Sequence, residues 1–178
     1  TGDAVWNEVI TNSQDVIASL QQNYSPDSGL LPDFIVLSGG METAVPAPAD
    51  FLEGPDDGHF SYNAGRDPWR IGADALLNDD DRSREAAQKI SRWAESATGG
   101  NPSTFRAGYA LDGTPLEGSD YFTTFFVAPL GVAAMTDPSQ QEWLNAVYDA
   151  VYQTHEDYYE DTVTLLCLIT MTGNAWTP

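Results

Sequence analysis

Between Asp3 and Asn23 the apolar residues Val5, Trp6, Val9, Ile10, Val16, Ile17 and Leu20 recur at spacings of three and four. That is the period of one helix face, and it predicts an amphipathic helix across the stretch. From Tyr24 to Tyr62 the period is lost among Pro, Gly and Asp, and five aromatics are scattered through the excursion. A connection of that length is far beyond the ordinary and points to function. Helical spacing resumes near Pro68 and runs to about Leu77. Asn78-Asp79-Asp80-Asp81 then breaks the pattern, and its last Asp is placed to cap a helix from Arg82 to Ala97. Turn chemistry at Gly99-Gly100-Asn101-Pro102 and Asp112-Gly113-Thr114-Pro115 precedes an apolar helix, Tyr121 to Met135, with Pro129 as an expected kink. Asp137-Pro138 supplies a cap and a first-turn proline for a helix through Trp143, Val147 and Val151 to about Gln153. A last helix spans Tyr158 to Met171, with Gly173 as its stop.

Six helices joined as three hairpins, with no alternating strand pattern and no internal repeat, predict an all-α fold. The long, aromatic-rich connections lie between hairpins, so one end of the array is expected to carry the functional loops.

Composition narrows the field. The 178 residues are 42% hydrophobic and 11% aromatic, enough for a substantial core, and no run approaches the roughly 20 apolar residues of a membrane span. Against 27 Asp and Glu stand 7 Lys and Arg, a net charge of -20, with Lys89 the only lysine. Sequence-independent nucleic-acid binding needs a cationic face, so neither nucleic acid nor a membrane is expected as partner. The lone cysteine, Cys167, sits in the apolar run Thr164 to Ile169 and reads as a buried thiol, leaving no intrachain disulfide and no cysteine cluster for zinc. Asp56-Asp57-Gly58 and Asp79-Asp80-Asp81 lack the alternating spacing of a calcium loop, and no metal or cofactor is expected. His59 and His155 receive no catalytic role. Neither a basic leader nor an apolar signal core opens the chain, so any targeting peptide is expected to have been removed.

The densest chemistry lies between Phe51 and Arg70, where carboxylates, an amide, two arginines and aromatics interleave within 20 residues. Aromatic faces cover the apolar side of a pyranose, while carboxylates, amides and guanidinium groups bond its hydroxyls. Paired carboxyl groups also suit glycoside hydrolysis, at separations of roughly 6.5 to 9.5 Å when water attacks directly and roughly 5 to 5.5 Å when a carboxylate attacks. Arg66 and Arg70, four apart, could equally pair with Asp67 or Asp74.

At these residues the sequence resembles glycoside hydrolase family 8, whose pattern Tyr-Asp-Ala-x-Arg-x-Pro-Trp-Arg-Ile is matched by Tyr62 through Ile71 with Asn63 in place of Asp. Three further segments resemble the family's in the family's order: Gly29 to Phe34, Gly108 to Leu116, and the stretch from Tyr158-Tyr159-Glu160-Asp161-Thr162 to Thr172-Gly173-Asn174-Ala175-Trp176. The resemblance implies helical hairpins forming half of an (α/α)6 barrel, with the single domain 1–178 as its C-terminal half. The family's general acid lies in the other half, expected as a separate N-terminal polypeptide.

Many members carry the general base at the position of Asn63, and a lichenase-like and chitosanase-like branch with Asn there is thought to use a Glu in the preceding loop. Glu53 is the expected base, with Asn63 orienting the water or the sugar and with Asp56, Asp57 and Glu42 in reserve. Tyr62 and Arg66 are expected to shape the cleavage subsite, alongside Asp33. Phe34, Tyr109, Tyr121, Tyr158 and Trp176 are the further candidates for stacking on sugar rings. The implied activity is endo-acting, inverting hydrolysis of a β-1,3-1,4- or β-1,4-glucan, with chitosan as rival, by an extracellular enzyme. A non-catalytic polysaccharide-binding protein and an acidic helical scaffold are the alternatives. Residue chemistry does not choose the sugar.

Overall fold

The computed structural model describes residues 3–38 and 43–175. Among them are six α-helices: α1 (Val5–Asn23), α2 (Asp67–Asn78), α3 (Asp81–Thr98), α4 (Thr124–Ala134), α5 (Gln141–Tyr152) and α6 (Tyr158–Met171). The starts and stops reflect local chemistry. Pro68 occupies the first turn of α2, whose end is marked by Asp79 in a left-handed conformation with φ of 53°. Asp80, not Asp81, caps α3 by accepting the Ser83 N–H at 2.8 Å, because Asp81 is already helical. Asp137 accepts the Ser139 N–H at 2.9 Å and opens a short 3-10 turn, Pro138–Gln140, from which α5 continues. The apolar run expected from Tyr121 becomes helical only at Thr124, where the Thr123 hydroxyl accepts the Phe125 N–H.

The helices form two layers. α2, α4 and α6 pack side by side as an inner row, while α3 covers α2 and α4, and α5 covers α4. Short connections make hairpins of α2–α3 and α4–α5, and this alternation of inner and outer helices is half of an (α/α)6 barrel. α4 is the axis of the packing: all of its residues are buried, Pro129 included. Around it lie Phe60, Phe105, Ile90, Trp143 and Val147, each almost fully buried. Cys167 is a buried free thiol on α6.

One two-stranded antiparallel sheet departs from the all-helical expectation. β1 (Ile35–Ser38) pairs with β2 (Thr43–Pro46) in the register Ile35 to Pro46. Strands of four residues are too short to show a period of two, and the hairpin lies inside the long excursion. The two long connections, 24–66 and 99–123, are stitched together where Phe60 and Tyr109 exchange backbone hydrogen bonds of 2.9 and 3.0 Å. Both precede inner helices, so they crown one end of the array.

α2 crosses α4 at Gly72, where an added Cβ would lie 3.0 Å from the Val132 carbonyl oxygen and 3.1 Å from Ala133. Replacement Gly72→Ala is therefore expected to lower stability by about 1–3 kcal/mol in urea unfolding. Gly54→Ala, where a Cβ would meet nothing within 4 Å, leaves stability within about 0.5 kcal/mol.

Candidate active site

Asp33 organises the loop end of α2. Its Oδ1 accepts the backbone N–H groups of Ser61, Asn63 and Ala64 at 2.9, 3.1 and 2.7 Å. These donors lead into the 3-10 turn Ala64–Arg66 and so into α2, where helical N–H groups have no partners of their own. Burial pushes the Asp33 carboxyl above its usual range, and the three N–H groups with the Asn63 amide draw it only part of the way back. Among the described residues, Oδ2 receives only a long contact, 3.5 Å, from Asn63 Nδ2.

Asn63 is held from three sides. Its Nδ2 donates to Glu53 Oε2 at 2.9 Å, its Oδ1 accepts from Arg66 Nη2 at 3.2 Å, and its carbonyl accepts from Arg66 Nε at 3.2 Å. The amide thus presents its donor to two carboxylates and its acceptor to a guanidinium. An Asp at this position would set a third carboxylate against Glu53 and Asp33. Glu53 is exposed on its loop, and among the described residues nothing donates to its Oε1. Arg66 serves Asn63 rather than Asp67. Arg70 lies over the Trp69 ring at 4.0 Å, and the alternative pairing of these arginines with Asp67 or Asp74 is not seen.

Of the reserve acids, Asp57 is consumed by its own loop. It is buried, and its carboxylate accepts N–H groups from Leu52, Glu53 and Gly54. Burial raises its carboxyl pKa, but these donors together with the Phe51 N–H outweigh that effect and leave it below the usual range. Asp57 is therefore corrected from a possible base to a bracket. Glu42 and Trp176 lie outside the described residues.

Beside the carboxylates stands an aromatic wall. Tyr62 stacks on Phe125 with centroids 5.2 Å apart, and its hydroxyl hydrogen-bonds that of Tyr121 at 2.9 Å. Phe125 also stacks on Tyr159, at 5.3 Å. Burial pushes the Tyr62 phenol up, helped by Tyr121 and by the charges of Glu160 and Glu156. Glu156 Oε2 accepts from Thr123 Oγ1 and from Thr124 N at 3.0 and 2.6 Å, which ties the start of α4 to the α5–α6 turn.

Tyr62, Tyr121 and Tyr159 keep solvent exposure, and Tyr158 projects at 87%. Phe34 is partly buried, its backbone N–H donating to the Asp57 carbonyl at 2.9 Å. Tyr109 does not join them. Its ring is buried against Trp93 and Phe105, and its hydroxyl accepts the Arg106 N–H at 2.9 Å, so it braces the loop crown instead of offering a face to sugar. Two residues carry no site role in the sequence: Tyr159, which lies within the Tyr158 to Thr162 stretch, and Asp67, which stands only as a possible partner of an arginine.

Asp67 opens α2 beside Asp33 and Arg66. Burial, and next the negative charge of Asp33, push its carboxyl up to about 7 against a weaker opposing pull from Arg66.

No family model matches the chain. A β-glucanase of Niallia circulans is 46% identical over 178 residues, which are 99% of this chain and 42% of that protein. An endoglucanase of Bacillus sp. strain KSM-330 is 37% identical over 179 residues, covering all of this chain and 37% of the relative. The chain thus spans about two fifths of the length of the curated relatives it matches. Among solved structures, an apo β-1,3-1,4-glucanase from Paenibacillus sp. X4 superposes with a TM-score of 0.95 at 44% identity, over 100% of this chain and 46% of that one. A family 8 glycoside hydrolase of Teredinibacter turnerae, solved with xylobiose, gives 0.74 at 24% identity over 96% of this chain and 41% of its own, a likeness of fold alone. The motif from Tyr62 to Ile71, seated at the loop end of a half barrel, thus occurs in a chain similar in sequence to proteins named for glucan hydrolysis and similar in fold to a family 8 glycoside hydrolase.

Proposed function

We propose that this chain supplies the base side of an endo-acting, inverting β-glycan hydrolase, with Glu53 as general base. The observation that carries the reading is the hydrogen bond from Asn63 Nδ2 to Glu53 Oε2, which orients the carboxylate and leaves Oε1 open. A water between Oε1 and the sugar loses its proton to Glu53 as its oxygen bonds to the anomeric carbon. The carbon–oxygen bond to the leaving sugar breaks on the opposite face. A carboxylic acid elsewhere in the protein gives its proton to that leaving oxygen. Tyr62 and Tyr121, with Arg66 behind Asn63, border the place where the sugar would sit. Phe34, Asp33 and Tyr158 are proposed contacts farther along the glycan.

The acid is assigned to a further portion of the barrel, N-terminal to this one. Supporting this, α1 leaves Val5, Trp6, Val9 and Ile10 exposed and α6 leaves Leu165 and Leu166 exposed, apolar surface on both flanks of the half barrel. The names of the relatives favour a mixed-linkage or β-1,4-glucan over chitosan, and an extracellular setting suits a polymeric substrate.

In the full-length protein, Glu53→Gln is expected to lower kcat on β-glucan by a factor of about 10² to 10⁴ with folding unchanged. Turnover near that of the parent would reject Glu53 as base. Proton NMR of the first products should show the α-anomer; a first-formed β-anomer rules out inversion. Asn63→Asp, which sets like charge against Glu53 and Asp33, should also lower kcat, so an undiminished rate would show that the amide does not matter.

The proton on Asp67 generates a pH dependence of stability. Its folded pKa, about 7, lies above the ordinary 3.8, so folding disfavours the charged form. Stability is untouched below pH 4, falls as pH rises from about 4 to about 7, and stays low above that. Asp67→Asn should therefore raise Tm at pH 8 and leave it unchanged at pH 4, as differential scanning calorimetry of the full-length protein would register.

A further inference from the structure

The loop that carries Glu53 has no secondary structure of its own, yet it is tightly closed. Asp50 adopts a left-handed backbone, φ 58°, and its N–H donates to the Gly54 carbonyl at 2.8 Å. Inside this turn sits the Asp57 carboxylate, only 3% of the residue being exposed. Oδ2 accepts from Leu52 N at 2.6 Å and Glu53 N at 3.1 Å, while Oδ1 accepts from Gly54 N at 3.0 Å and Glu53 N at 3.3 Å. Successive N–H groups converging on one anion form a nest, and charge-assisted bonds of this kind are the strong ones.

The nest is anchored from behind. The Asp57 carbonyl accepts the Phe34 N–H at 2.9 Å, one residue along from the Asp33 brace, and Gly58 presses so closely on Ala47 that a Cβ would lie 2.3 Å from its carbonyl oxygen. Asp57 grips the backbone of Glu53 itself, whereas Asn63 grips the tip of its side chain.

We propose that Asp57 is a positioning residue for the base. Its carboxylate fixes where the Glu53 Cα stands, and thereby how far Oε1 lies from the water it activates. The inference rests on the reading of Glu53 as general base. Reacting groups must meet within a few tenths of an ångström, and a misplacement of about 1 Å can cost about 10² in rate. Asn at position 57 keeps the size but loses the charge and one acceptor. Ala leaves a pocket, the size of a carboxylate, lined by N–H donors.

The test is a cycle in the full-length protein on β-glucan: Asp57→Asn, Glu53→Gln and both together, with kcat, KM and Tm for each. Asp57→Asn is expected to lower kcat by about 10² with KM within about twofold. In the Glu53→Gln background the same change should cost nothing further, because the group it positions is already gone. Asp57→Ala, inactive by the same argument, should regain kcat in molar formate, which can refill the nest. Parent-like kcat in Asp57→Asn overturns the proposal. So do multiplicative losses in the double variant, and so does a loss that tracks the unfolded fraction and is not rescued by formate. Near-normal turnover of Glu53→Gln instead removes the base on which the proposal rests, an outcome separable from failure at Asp57.

Discussion

One carboxylate oxygen holds the loop end of this molecule together. Asp33 Oδ1 takes three backbone N–H groups at the entry to α2, and without that acceptor a partly buried helix start would hold unpaired donors. The rest of the site depends on where that entry is placed. It fixes Asn63, which reaches Glu53; it fixes Tyr62 against Phe125; and it places Asp67 where burial first, and the Asp33 charge next, push its carboxyl up to about 7. The arrangement costs free energy at Asp33 itself, whose charged form is disfavoured by burial more than the N–H groups favour it. Such a cost is typical of polar groups that set geometry rather than stability.

The rigid base for this arrangement is α4. A helix apolar on every side has no solvent face and must be enclosed, and α2, α3, α5 and α6 enclose it. Its first turn carries Phe125 and Phe126, which reach from the core to the aromatic wall, so the site stands directly on the best-packed part of the molecule. Glu156, from the turn before α6, bonds the same first turn. Loops rich in Gly, Pro and Asp can hold precise positions here because their ends are tied to that turn and to each other through Phe60 and Tyr109.

Helices were the legible part of the sequence. The limits of α6 read from apolar spacing coincide with those observed, and those of α2, α3 and α5 differ by a few residues at most, because amphipathic period and capping residues are local signals. The short β1–β2 hairpin was not legible, since four-residue strands carry no period. Choosing Asp81 over Asp80 as cap failed for a related reason: three successive Asp side chains are equivalent until the backbone decides which is still extended. At the site, the motif around Asn63 pointed to Glu53, and the structure places the two in contact. The function of Asp57 was hidden, because a carboxylate turned inward onto its own loop looks, in sequence, like one turned outward to solvent. Tyr109 misled in the opposite sense, as an aromatic in a motif that is in fact enclosed by Trp93 and Phe105.

Asn63 and Glu53 are ten residues apart in the chain, yet they share one electrostatic environment. With two carboxylates already converging on position 63, the amide is a neutral partner that donates to both. Replacing either residue alone therefore alters the surroundings of the other: without Glu53 the Asn63 amide keeps its long contact to Asp33, and without Asn63 the Glu53 Oε2 loses this donor.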